Sequence, residues 1–229
     1  MGADKQTKFV QAKGLQIAYE DFGDPEDPVI LLVAGLFNQL VRWPVEFCEL
    51  LVAKGFRVIR FDNRDIGLSD KMEGARAPGY LRLFFAYKLG IPVKTPYTLD
   101  DMAEDTIGVL DALNIQQAHI VGMSMGGMIS QIVAARYPQR ILSLTSIMST
   151  SGVRGKGVAS LLVSLKMVKP VTGSRTALDN SVDIWRMNGS PAYPVSDDEA
   201  RKILMAEHRR SSNPAAYMRQ IAAVKTAPN

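Results

Sequence analysis

The sequence predicts an α/β fold, a mostly parallel sheet with helices on both faces followed by an all-helical lid. Three observations predict it. Val29 to Ala34 is a continuous apolar run, as in a strand buried on both faces. Runs of this kind alternate with segments of helical spacing as far as Met148. Past Ser149 the strand-like runs stop, and helix-capping signals take over. Residues 1–150 therefore read as a sheet domain and 151–229 as a helical cap.

Each element has a local reason. Phe9 to Gln11 and Leu15 to Asp21 read as strands joined by a turn at Lys13-Gly14. Asp24 to Pro28 is turn chemistry ahead of the Val29 strand. Trp43 to Lys54 has amphipathic spacing and ends at Gly55, where a glycine C-cap belongs. Phe56 to Phe61 is the next strand. Tyr80 to Ile91 is apolar but carries Arg82 and Lys88, and it is far shorter than the ~20 residues of a membrane span. It reads as a helix covering a pocket. Thr98 and Asp101 form a capping box for a helix that stops near Asn114. Ala118 to Val121 is a short buried strand, Met125 to Arg140 a helix, and Ile141 to Met148 a strand. In the cap, Ser196 and Glu199 form a second capping box opening a helix to about Arg210, and Asn213-Pro214 opens another to about Val224.

Bulk composition narrows the function classes. Of 229 residues, 47% are hydrophobic and 22% charged, an ordinary globular balance. The net charge of +4 is spread without a basic run, so no nucleic-acid partner is expected. The one cysteine, Cys48, excludes an internal disulfide and reads as core packing. No signal peptide is read at the N-terminus, and a cytoplasmic location is expected. Gly152 to Gly157 superficially suggests a phosphate loop but lacks its spacing.

The chemistry centres on Gly122-Met123-Ser124-Met125-Gly126, which fits G-x-S-x-G. It lies between a strand and a helix, where a strained turn lifts a serine clear of the sheet. Ser124 is the nucleophile candidate. The backbone N–H of Met125 supplies one oxyanion donor. The second is assigned to the N–H of Leu36, after the strand ending at Val33-Ala34-Gly35. Asp62 to Ser69 holds acids around Arg64 and reads as an Asp–Arg paired loop bracing the pocket wall, with no metal site.

With the elbow, Asp62 to Ser69 makes the chain resemble the α/β-hydrolase superfamily. The resemblance is narrower still. Trp43-Pro44 through Phe47-Cys48, Tyr97-Thr98-Leu99 and Ser143 to Ser149 are similar to the aclacinomycin methylesterase-like branch, over about residues 8–226. The resemblance implies hydrolysis of small-molecule carboxylic esters without metal or organic cofactor. It maps Ser124 to the nucleophile, and Leu36 and Met125 to the oxyanion donors. Many members carry histidine where Ala34 and Met123 stand here; neither change removes a backbone donor.

In that family the triad acid and histidine follow the lid, after two further strands. In this chain no such strands, no acid at a strand end and no late Gly-His are read, so the last two strands and both triad partners are expected to be absent. His119 lies in the elbow strand, pointing into the sheet layers, and His208 in a lid helix, where it reads as exposed or lid-lining; a rearranged triad using His208 is the disfavoured reading. The chain thus reads as a C-terminally truncated ester hydrolase. A catalytically inactive scaffold or ligand-binding derivative of the fold is the alternative. Cutting after the lid leaves Ile141 to Met148 as an apolar sheet edge open to self-association. Leu161, Leu162, Leu165, Met167 and Trp185 suggest a greasy substrate group. No stable membrane insertion is expected.

Overall fold

The computed structural model describes residues 6–153 and 176–227. The chain divides into two compact units: residues 1–156 with 213–229, and residues 157–212.

The first unit is built on six strands: β1 (Lys8–Ala12), β2 (Leu15–Phe22), β3 (Val29–Val33), β4 (Arg57–Phe61), β5 (Ala118–Met123) and β6 (Ile141–Ile147). They lie in the order β1-β2-β4-β3-β5-β6. The first two strands pair antiparallel, as does β2 with β4, while β4-β3-β5-β6 is parallel throughout. Strand β3 is central and buried along its whole length. Its side chains alternate between two cores. Val29, Leu31 and Val33 join Met102, Ile107, Met125 and Ile129. Ile30 and Leu32 join Phe22, Trp43, Cys48 and Val58. Cys48 is fully buried, and burial pushes its thiol up to about 11, in keeping with packing rather than reactivity.

The helices of this unit are α1 (Val45–Val52), α2 (Tyr80–Leu89), α3 (Leu99–Ala112), α4 (Met125–Arg136) and, after the second unit, α7 (Pro214–Lys225). The capping box at Thr98 and Asp101 is present. Two helices are shorter than the sequence suggests. Pro44 caps α1, so Trp43 stays outside it. Tyr137 (φ −128°) ends α4, and Pro138–Arg140 forms a separate 3-10 turn.

The second unit holds α5 (Ala177–Asn188) and α6 (Asp197–Arg210). Arg201 bonds Asp179 at 2.6 Å, and Arg186 pairs with Asp197. Thr176 and Asp179 form a capping box for α5. At Ser196 only one half of the expected box is recorded, the Glu199 N–H donating to the Ser196 hydroxyl. Leu161, Leu162, Leu165 and Met167, and most of the glycine link, lie outside the described residues.

One boundary differs from the division at residue 150. The helix at 214–225 clusters with the sheet, not with the other cap helices. Arg219 and Gln220 account for this, because both are buried among groups of the sheet unit.

Candidate active site

The elbow is formed as a strained turn. Ser124 sits at φ 54°, ψ −119° between β5 and α4, a conformation non-glycine residues rarely adopt. Its N–H donates to the Ile147 carbonyl at 2.9 Å. Its carbonyl accepts from the Gly127 N–H at 2.9 Å and the Ser149 hydroxyl at 2.7 Å. The turn is therefore tied to the end of β6 as well as to its own helix. Gly126 is required by packing, since a Cβ there would overlap the Val33 carbonyl. Met125 is the first residue of α4, so no carbonyl within the helix is placed to accept from its N–H.

The loop after β3 comes close to this turn. A Cβ on Gly35 would lie 3.2 Å from the Ser124 Cβ. Leu36 follows directly, and Phe37 takes a left-handed conformation at φ 66°. This loop is held from α7. The Phe37 N–H donates to Gln220 Oε1 at 2.9 Å, and the Phe37 ring packs on Tyr217 with centroids 4.3 Å apart. Gln220 is fully buried, and its Nε2 has no acceptor among the described residues. Nothing in the local sequence of α7 marks Gln220 as a partner for residue 37. The contact spans 183 positions, and only the fold reveals it.

The Asp62 to Ser69 loop braces the same region. Asp62 accepts from the Leu40 N–H at 2.7 Å and the Leu68 N–H at 2.8 Å. Asn63 donates to the Ala34 carbonyl at 3.0 Å, at the end of β3. The arginine pairing is not internal to the loop, as its sequence suggests. Arg64 pairs with Asp105 on α3, and Asp65 with Arg219 on α7. Asp65 also accepts from Tyr97 Oη at 3.0 Å and the Met72 N–H at 3.1 Å. Burial alone would raise the Asp65 carboxyl, but the bonds from Arg219 and Met72 outweigh it and hold the group below its ordinary value. The same burial and the Asp65 charge push the Tyr97 phenol well up. No three-residue His, Cys, Asp or Glu cluster suited to a metal occurs among the described residues.

His119 Nδ1 is 2.7 Å from Ser143 Oγ, and its ring meets the Phe56 ring edge-on. His208 is exposed on α6, in the second unit.

The pattern of an elbow serine, a glycine loop after the central strand and a parallel sheet has a counterpart among known proteins. The α/β hydrolase fold family matches residues 28–164. The chain belongs to that family. It is also similar to the rhodomycin D methylesterases of Streptomyces sp. (strain C5) and Streptomyces peucetius. With each it is 30% identical over 224 residues, covering 88% of this chain and 69% of the relative. These methylesterases agree with the branch suggested by the sequence. Among solved structures, a hydrolase from Pseudomonas aeruginosa is 25% identical and matches 99% of this chain and 74% of its own with a TM-score of 0.64. The enol-lactonase from Burkholderia xenovorans, 21% identical, shares the fold over 96% of this chain and 74% of its own at a TM-score of 0.65.

Proposed function

We propose that this chain carries the nucleophile half of a serine-dependent carboxylic ester hydrolase. Ser124 Oγ attacks the acyl carbon, and the carbonyl electron pair moves onto oxygen. The N–H groups of Leu36 and Met125 receive that oxyanion. The observation carrying this reading is Ser124 itself, strained at φ 54° at the head of α4 and beside the Gly35 loop. The relatives named methylesterases support the ester class. No organic cofactor is assigned a role, and the substrate is a small-molecule ester.

The attacking hydroxyl must lose a proton, and the leaving alkoxide must gain one. We propose that the acid and histidine doing this are not among the 229 residues of this chain. His119 is engaged by Ser143, and His208 is exposed in the other unit. Turnover of an aryl ester should then stay near ~10³ over water, the residue left by binding and the oxyanion hole alone. Stopped-flow hydrolysis of p-nitrophenyl butyrate by wild type and Ser124→Ala tests this. Rapid turnover abolished by Ser124→Ala contradicts the missing-base reading; rapid turnover indifferent to it contradicts the nucleophile.

A second reading rests on β6. Among the described residues this strand pairs only with β5, and it has no charged residue. An uncharged edge of this kind invites pairing with a second copy. Self-association is expected, with Leu144→Lys shifting the chain toward monomer in sedimentation velocity. A wild type that sediments as a monomer at tens of micromolar contradicts it.

A further inference from the structure

Helix α2 presents an apolar stripe that the first unit does not cover. Leu83 and Ala86 are buried, and the Lys225 ammonium lies 5.0 Å from the Tyr87 ring centre, so one side of the helix is packed against α7. On the other side Leu81, Phe85 and Leu89 are 71%, 58% and 68% exposed, and Ile91 follows at 55%. Leu81, Phe85 and Leu89 recur every fourth residue and so form one line along the helix. At about 100° per residue, Lys88 falls on one flank of that line and Arg82 on the other. Both are exposed, as are Arg76 before the helix and Lys94 after it. From Gly74 to Leu99 the sequence contains no Asp or Glu.

We propose that α2 is a reversible docking helix for an anionic membrane surface. Leu81, Phe85 and Leu89 enter the boundary between headgroups and acyl chains, with the helix lying in the plane. Arg82 and Lys88 remain at the level of the lipid phosphates, assisted by Arg76 and Lys94. Both parts of an interfacial helix are therefore on one exposed face. The helix has 10 residues, about 15 Å, half of what a span requires, so it lies on the bilayer and does not cross it. Charge decides the occupant. A second copy meeting this face symmetrically would bring a further set of the same cations against these. An anionic bilayer complements them, each basic residue strengthening binding by about fivefold. This inference stands on α2 alone and does not depend on the role of Ser124.

The test is flotation of the full chain on a sucrose gradient with vesicles, which separates bound protein from any self-associated pellet. Vesicles are 70% phosphatidylcholine with 30% phosphatidylserine, or phosphatidylcholine alone. The chain should float with the anionic vesicles, at least about tenfold less with the neutral ones, and be released by 0.5 M salt. Leu81→Ser/Phe85→Ser and Arg82→Glu/Lys88→Glu should each abolish flotation without changing the melting temperature. Leu144→Ser, at the β6 edge, should float like wild type. Failure of wild type to float overturns the proposal. So does equal flotation on neutral vesicles, or loss of flotation only in Leu144→Ser. A change in sedimentation of Leu81→Ser/Phe85→Ser without lipid assigns the stripe to protein association and also overturns it.

Discussion

Strands β3 and β6 belong to one parallel array, separated only by β5, yet they have opposite environments. Every residue of β3 is buried, and its side chains feed a core on each face. The five central residues of β6 are all exposed, with Leu142 at 48% and Leu144 at 38%. The elbow stands between them and is tied to both, through the Val33 carbonyl under Gly126 and the Ile147 carbonyl on the Ser124 N–H. The strained Ser124 turn and the Gly35 loop thus meet at the buried side of the sheet. In the proposed reading, geometry for attack and geometry for proton transfer are separable, and the contrast between β3 and β6 is what the following measurements probe.

The sharpest way to break that contrast is through the anchor of the buried side. Arg219→Ala leaves the Asp65 carboxylate buried without its guanidinium and should cost about 3–5 kcal/mol in urea unfolding. A cost under about 1 kcal/mol would mean that α7 does not clamp this region. The pH dependence has a definite sign. The folded Asp65 carboxyl lies below its ordinary 3.8, so its stabilisation is complete above that value. It is lost as pH falls through the lower folded value. Wild type should therefore lose this stability only in acid below about 3.8, and Arg219→Ala should show a weaker acid slope.

Core truncation compares the two strands directly. Leu32→Ala on β3 should cost about 2–5 kcal/mol, and Leu144→Ala on β6 within about 0.5 kcal/mol. Similar costs would show that β6 is covered in solution. A smaller effect is expected at the loop after β3. Gln220→Ala removes the acceptor of the Phe37 N–H and should cost about 1–3 kcal/mol. Chemical-shift changes at Leu36 and Phe37 in amide spectra check that the loop itself is what moves.

Much of this was legible in the residues. The continuous apolar run of β3, the Thr98 capping box and the glycines around Ser124 are local signals, and local physics sets them. The Leu36 loop was legible too, because a glycine ending a central strand limits where the chain can go. What failed to show was non-local. Gln220 meets Phe37 and Arg219 meets Asp65 across most of the chain, and the apolar pattern of 214–225 looks the same in a lid as in the sheet unit. Arg64 looked paired within its own loop because neighbouring acids are the nearest in sequence, while the fold supplies Asp105. The spacing that carries a helix to Arg140 does not show that Tyr137 leaves it one residue before Pro138.

The central claim is that Ser124 is positioned but not activated. Labelling with a fluorophosphonate measures activation directly, because phosphonylation requires the serine oxygen to attack and expel fluoride. The account predicts labelling of this chain at no more than the slow rate of an ordinary serine hydroxyl, with any trace of it at Ser124. Rapid, stoichiometric labelling of Ser124, lost in Ser124→Ala, would contradict it and require a base within this chain.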